Sequence, residues 1–436
     1  MRRQLAWDGR ETYEATVREA LIDDELWPPL LHAIASASRR IDLSQLLFEP
    51  DFRPSVPLAR TLTDELEAAA TRGVRVRILV NENAAIPDSY DEVRDRFLGT
   101  RVEVCSLPMT PNVMHMKVLL ADDVAFMVDA PFEQKYADAR THVFHNPSRR
   151  GWQPFHSVSL RLEGPIVARI SQLYDALWDG TPLPPPAAPP AQGGVQLVWS
   201  APAGLWSPDA AEGVLRSYEL AIAQARRFVY CENQYFTSPR ITRALQEALE
   251  REPQLEVILA LNEHMDVPTY DVWQERRLRE LGYPDHPRLG AFSLWTPRRL
   301  PDDPAARRIY IHSKVSIVDD AWATVGSANL DSISLHDAEE FGITAPRNVE
   351  LNAVFTEEPF VATLRRRLWG EHLGDEGVWS AQAPPEGWLA HWRRIAGDNL
   401  RRFDAGEGHG PARVMPFAGL TTSGRKRLSS EPPASP

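Results

Sequence analysis

Two stretches of this chain carry one pattern. "HMKVLLAD" starts at His115 and "HSKVSIVD" at His312, and both read His-x-Lys, four residues, then Asp. The chain has only four lysines, Lys117, Lys135, Lys314 and Lys426, and two of them fall inside the copies. At this composition a single match is expected by chance about 0.01 times per chain, and two far less often. The repeat therefore implies an internal duplication, with both copies serving the same task.

The flanking sequence repeats too. "RRIDLSQLLFEP", "LARTLTDELEAAATRG" and "VRVRILVNE" read as strand, helix and strand, with Gly73 placed to end the helix. "RRFVYCENQYF", "PRITRALQEALERE" and "LEVILALNE" give the same order after residue 195. Each copy then closes on a strand and a helix ending in Leu-Trp. Strand–helix–strand order repeated in this way predicts α/β layers in each half. The Pro/Ala/Gly segment 181–194 cannot form a packed element and reads as a spacer. It separates an N-terminal half, 1–180, from a C-terminal half, 195–404. Residues 405–436 lack periodicity and read as a disordered tail.

With 436 residues, two domains or two fused halves are the prior. The start lacks an apolar segment typical of a signal peptide, and no run of about 18 apolar residues marks a membrane span. The expected location is cytoplasmic, peripheral at the membrane. A net charge of −12 disfavours a general nucleic-acid binder, so no nucleic-acid partner is expected. Two cysteines, Cys105 and Cys231, make no disulfide framework.

Alternation across 309–317 predicts one strand, in which residues i and i+2 project together about 6.6 Å apart. His312 and Lys314 then share a face, as do His115 and Lys117. Asp122 and Asp319 complete the motif but have the opposite parity, so they read as supports that do not touch substrate. Beyond Asp319, Gly326 permits close backbone approach, and Ser327 and Asn329 offer hydrogen bonds to a ligand. The set forms an anion pocket of cations and neutral donors. It has no carboxylate cluster for Mg²⁺ or Ca²⁺ and no Cys/His spacing for zinc, so neither metal nor cofactor is expected. Two imidazoles suit phosphodiester cleavage. One attacks phosphorus and becomes a phosphohistidine, while the other protonates the leaving oxygen. The lysines hold the non-bridging oxygens. "TPRRLPDDPAARRIY", with Arg298, Arg299, Arg307 and Arg308, fits a phosphate-collecting loop or a solvated one equally.

These residues resemble the phospholipase D superfamily, whose motif is H-x-K-x4-D-x6-G-S/G-x-N. His312, Lys314, Asp319, Gly326, Ser327 and Asn329 match throughout, and His115, Lys117 and Asp122 match the first part. "YCENQYFTSPRI" and "FEPDFRPSVPLARTLTDELEAAATRGVRVRILVNE" extend the resemblance to bacterial phospholipase D-like and cardiolipin synthase-like members, over roughly residues 30 to 375. The resemblance implies two fused α/β/α sandwich halves with pseudo-twofold symmetry, one site at their interface, a covalent histidine intermediate and no metal. It implies His115 as nucleophile, His312 as general acid, and Glu350 in "NVELN" as the carboxylate orienting a motif histidine.

Two departures stand out. The first copy has Asp129-Ala130-Pro131-Phe132 in place of G-S-x-N, which puts a carboxylate where it would repel phosphate or raise its own pKa. Ser157 replaces an aspartate common in the family, which would leave the first-half histidine without its carboxylate. The leading functional expectation is hydrolysis of a glycerophospholipid's head-group phosphodiester at a membrane surface, with alcohol able to replace water. Alternatives are a cardiolipin or phosphatidylserine synthase-like transferase, of which the lack of a span disfavours the cardiolipin case, a nucleic-acid phosphodiesterase, and a non-catalytic scaffold.

Overall fold

The computed structural model describes residues 11–54, 60–82, 89–109, 112–142, 153–185, 194–296, 308–337, 347–374, 384, 386–407 and 411–418. Two sheets organise them. The first has seven strands in the order Val17–Ile22, Val158–Glu163, Val124–Met127, Val118–Ala121, Arg40–Gln45, Arg75–Glu82, Glu103–Pro108. The second repeats it: Val195–Ala201, Glu350–Phe355, Trp322–Gly326, Lys314–Val318, Phe228–Asn233, Glu256–Leu261, Leu289–Trp295. The strand orders correspond one to one, with antiparallel pairing on one side and parallel pairing on the other. The duplication read from the two motifs is therefore a duplication of topology.

The central parallel strands Arg75–Glu82 and Glu256–Leu261 are buried on both faces over most of their length, which is why each carries an unbroken apolar run. Arg77 precedes one such run. Its guanidinium is buried, pairs with Asp42 at 2.7 Å and Asp175 at 2.5 Å, and lies over the Tyr174 and Trp178 rings. A central core sits between the sheets. It joins Leu120 and Leu160 to Ile317 and Leu351 through Ile170, Leu173, Leu368 and Trp369. The last four lie on helices Pro165–Asp179 and Glu358–Leu373, the two helices that end each repeat. Both terminate at a left-handed glycine, Gly180 (φ 61°) and Gly374 (φ 75°), a position a Cβ would strain. The outer faces carry helices Leu62–Thr71, capped by Thr61 with Asp64 reaching back, and Pro239–Arg251, capped by Ser238. The result is an α/β/α sandwich made twice.

The halves are stitched by backbone pairing. Thr12–Tyr13 joins the second sheet beside Val195–Ala201, and Phe155–His156 pairs in parallel with Arg308–Ile311. Met114 bridges Val349. Two sequence expectations need correction. The strand predicted over 309–317 is broken at His312–Ser313. Arg308–Ile311 and Lys314–Val318 lie four places apart in the sheet, and Asn262 holds the crossing by bonding both backbone groups of Ile311 at 2.8 and 2.7 Å. The tail is also not unstructured throughout. Val414–Pro416 pairs with Leu289–Trp295, because Phe417 and Val414 have apolar surface to cover there. Residues 419–436 lie outside the described residues, as does 186–193 of the spacer.

Asp122 and Asp319 each engage the main chain. Each sits in a turn at positive φ, 51° and 55°, and accepts three backbone N–H groups. Asp122 takes those of Ser38, Arg39 and Arg40 (2.9–3.0 Å), and Asp319 those of Arg226, Arg227 and Phe228 (2.7–2.8 Å). They fix the starts of the strands beside the motif strands. Asp319→Ala should therefore cost about 1–2 kcal/mol of stability in denaturant unfolding, with a larger effect on the midpoint than on kcat per folded molecule. A variant of native stability but no turnover would contradict this support role.

Candidate active site

Each motif histidine is held by the opposite half. The His115 N–H donates to Val349 O at 3.0 Å, and the His312 N–H donates to His156 O at 2.8 Å. The carboxylates cross in the same sense. Nδ1 of His115 lies 2.9 Å from Glu350, and Nδ1 of His312 lies 3.2 Å from Asp129. Both expected defects of the first half are thus overturned. His115 has a carboxylate, because Glu350 reaches it from the other repeat. Asp129 does not point free charge at a ligand; it is buried against His312 and Lys314, 3.2 Å from each. Burial by itself would raise the Asp129 carboxyl, but Lys314 and then His312 outweigh it and hold it below the usual carboxylate range.

The backbone explains the exchange. Glu350 and Ser157 each follow the residue whose carbonyl takes a histidine N–H, so they occupy corresponding places. In the second repeat Gly326 cannot bear a side chain, since a Cβ would lie 2.4 Å from Leu351 O and Asn352 Oδ1. In the first, Asp129 fits, with Ser159 Oγ accepting its N–H at 3.1 Å. One carboxylate per histidine is kept, but in the first repeat it has moved from position 157 to 129.

The two dyads are not equivalent. Glu350 is buried and also receives Ser327 Oγ at 2.6 Å and Asn348 Nδ2 at 3.1 Å, so the His115 ring is held firmly. Ser327, expected to touch substrate, donates to this carboxylate. Around His312 the contacts are looser. Its Nδ1 also faces Lys314 Nζ at 2.9 Å, and the rings of Tyr136 and Phe155 pack 5.1 and 5.6 Å away. Lys314 Nζ bonds Gln234 Oε1 at 3.0 Å, and Asn329 Nδ2 reaches the same oxygen at 3.5 Å. Gln234 and Asp129 were not predicted as positive contributors. Gln234 belongs to "ENQYF", the only signal that pointed to it.

Both imidazoles are neutral near pH 7. Burial pushes His115 down against the opposing pull of Glu350, and burial with Lys314 pushes His312 down to about 3. Burial, then Lys314, pushes Lys117 down to about 7. Each lysine acts on both histidines, so the two motifs share one electrostatic site. Of the arginine segment, 297–307 lies outside the described residues, and Arg308 pairs with Glu263 at 3.0 Å. A separate groove of about 990 Å³, lined by Trp199, Arg216, Arg240 and Arg243, contains none of these residues.

Duplicated α/β sandwiches with a His-Lys pair from each at the seam define the phospholipase D class of phosphodiester enzymes. The family described as "Cardiolipin synthase, PLD-like domain" matches residues 30–129 and 219–370, more than half of the chain, and the chain belongs to that family. It is 25% identical to cardiolipin synthase B of Salmonella typhimurium over 441 residues, covering 94% of this chain and 93% of that one. Identity to cardiolipin synthase B of Escherichia coli K12 is 27% over 444 residues, covering 94% of each. In fold it is similar to phosphatidylserine synthase from Haemophilus influenzae (TM-score 0.57, 13% identity, 83% of this chain and 88% of that one). It is also similar to polyphosphate kinase from Porphyromonas gingivalis (TM-score 0.51, 14% identity, 87% and 55%). The protein is an enzyme of the phosphodiesterase/phosphatidyltransferase type.

If Asp129 orients His312, Asp129→Asn should lower kcat by about 10²-fold with a smaller change in KM, as loss of a histidine's carboxylate does elsewhere. Placing the carboxylate back at the corresponding position, Asp129→Gly with Ser157→Asp, should recover part of that loss. Equal kcat for wild type and Asp129→Asn would remove the assignment.

Proposed function

We propose that this enzyme is a phosphatidyltransferase that joins two phospholipids through a phosphohistidine. The observation that carries the proposal is the pair of unequal cross-half dyads beside two buried lysines. The end-to-end similarity to cardiolipin synthases supports an alcohol rather than water as acceptor. This shifts the expectation from hydrolysis to transfer.

His115, neutral and fixed through Nδ1 by Glu350, presents Nε2 to the phosphorus of a phospholipid's head-group phosphodiester. The N–P bond forms as the P–O bond to the head alcohol breaks. His312 passes a proton to the departing oxygen. Its low pKa in the free site reflects burial and Lys314, and the anionic phosphate opposes the lysine's repulsion and favours the protonated ring. Lys117 and Lys314 hold the non-bridging oxygens as charge develops. In the second step His312 takes the proton of an acceptor hydroxyl, whose oxygen displaces His115. Cardiolipin carries two phosphatidyl groups on one glycerol, so an acceptor with a free glycerol hydroxyl, phosphatidylglycerol, makes it directly.

Vesicles of phosphatidylglycerol incubated with the enzyme should yield cardiolipin and glycerol by mass spectrometry. Phosphatidic acid as the main product would reverse the proposal toward hydrolysis. His115→Ala and His312→Ala should each reduce turnover by about 10³-fold or more, and no phosphatidyl adduct should be trapped in His115→Ala.

Lys117 adds a pH dependence. A lysine is charged below its pKa, so the Lys117 charge is present at pH 6 and is lost as pH rises through about 7 in the free enzyme. KM should therefore rise between pH 6 and 8. Lys117→Arg, always charged, should flatten that rise whatever its effect on kcat.

A further inference from the structure

Behind His312, at the junction of the halves, lies a buried group of side chains that the transfer chemistry does not use. We propose that Asp23, His142, His156 and Glu371 form a structural site for one divalent first-row cation, zinc by donor set. The inference stands independently of the transfer reaction.

Four donor atoms, one from each residue, lie within 4.8 Å of one another. All four side chains are at most 2% exposed. The inward contacts are somewhat longer than the outward ones, and His156 Nδ1 also stands at hydrogen-bond distance, 3.3 Å, from Asp23 Oδ2. Facing inward, His142 Nε2 lies 3.1 Å from Asp23 Oδ2 and 3.7 Å from Glu371 Oε1, and His156 Nδ1 lies 3.2 Å from Asp23 Oδ1. Tetrahedral bonds of about 2.0–2.2 Å place neighbouring ligand atoms about 3.3–3.6 Å apart, close to these values. Facing outward, each imidazole meets a carboxylate at ordinary hydrogen-bond length. His142 Nδ1 is 2.9 Å from Asp138 Oδ2, and His156 Nε2 is 2.9 Å from Glu232 Oε1. A metal-bound histidine is normally held this way, with its far nitrogen on a carboxylate. His142 Nε2, fully buried, makes no well-formed hydrogen bond among the described residues although Asp23 is near.

Two of the four residues sit on positive-φ backbone, Asp23 at 53° and His142 at 45°. Non-glycine residues hold that conformation only where the surroundings impose it. The neighbouring trio His156, Glu232 and His372 is the more crowded: Glu371 accepts from two side chains, Arg413 and Arg140, and Glu232 from four. The Glu232 carboxylate is already filled by Tyr230 OH at 2.6 Å, His372 Nε2 at 2.7 Å, His156 Nε2 and Ser313 Oγ. It serves as the outer partner of His156.

Imidazole nitrogen with carboxylate oxygen favours zinc and its neighbours over Mg²⁺ or Ca²⁺. With four protein donors the site is closed, which marks a structural role. Its place gives it a task. Glu371 comes from the second half and the other three from the first, and His156 O receives the N–H groups of both His312 (2.8 Å) and Ser313 (3.2 Å). A cation there clamps the halves and the floor beneath His312.

The rival is a pair of protons. Burial pushes both rings down, but Asp23 outweighs it, and His142 is pushed up to about 10 while His156 rises well above its ordinary value. Two imidazolium protons carry the same charge as one dication, so the metal must be counted. The full chain, expressed in zinc-supplemented medium, purified without chelator and dialysed, should contain about one first-row divalent ion by plasma mass spectrometry. Stripping it with a strong chelator should lower Tm by several degrees, and zinc alone should restore it. His142→Ala and Glu371→Gln should each lower occupancy about tenfold or more, whereas Asp129→Asn should keep it. Cobalt in place of zinc should show the intense visible bands of a four-coordinate ion. Folded wild-type chain with under about a tenth of an equivalent, and no Tm response to zinc, would establish the proton network instead. Wild-type occupancy in His142→Ala would also overturn the site.

Discussion

Two backbone hydrogen bonds make one site out of two repeats. His115 and His312 donate their N–H groups to Val349 and His156, carbonyls of the opposite halves. Each histidine is therefore fixed by the half it does not belong to, and neither half is complete alone. The same exchange brings Glu350 to His115 and Asp129 to His312. A side-chain contact can drift without loss of fold, but these main-chain bonds are tied to strand pairing and set where both rings must be.

That separation lets the repeats diverge. The second keeps Gly326 because Leu351 and Asn352 leave no room for a Cβ, and it supplies its carboxylate from Glu350. The first has Ser159 nearby and accepts Asp129. One requirement, a carboxylate per imidazole, is met from two different strand positions. The consequence is asymmetric: Glu350 is locked by Ser327 and Asn348, whereas Asp129 shares itself between His312 and Lys314. A rigid ring suits bond formation to phosphorus, and a ring in a looser field suits carrying a proton back and forth.

Much of this was legible in the sequence because it is periodic or local. The paired motifs, the strand–helix–strand repeats and the parity of Asp122 and Asp319 all follow from spacing along one segment. What was not legible depends on contacts between segments. Nothing near Asp129 reveals that Lys314 lies 3.2 Å away, so its charge read as a liability. The alternation across 309–317 hides a crossing at His312–Ser313, since Asn262, which holds it, lies some fifty residues earlier. The group around His156 is the extreme case. Its donors come from residues 23, 142, 156 and 371, so no Cys/His spacing could expose it.

The charges of the site also act as a unit. Burial pushes both Lys117 and Lys314 down, and Lys314's charge adds to it for Lys117. Glu350 and Asp129 resist that, and each is kept ionised by the cations it serves. The free site is thus near balance, with depressed lysines and two neutral imidazoles. A phosphodiester adds the anion that tips it, restoring charge to a lysine and favouring a proton on His312. Ligand entry and proton uptake are then one linked event. An apolar chain without its phosphate, however well it fits, leaves the His312 ring neutral.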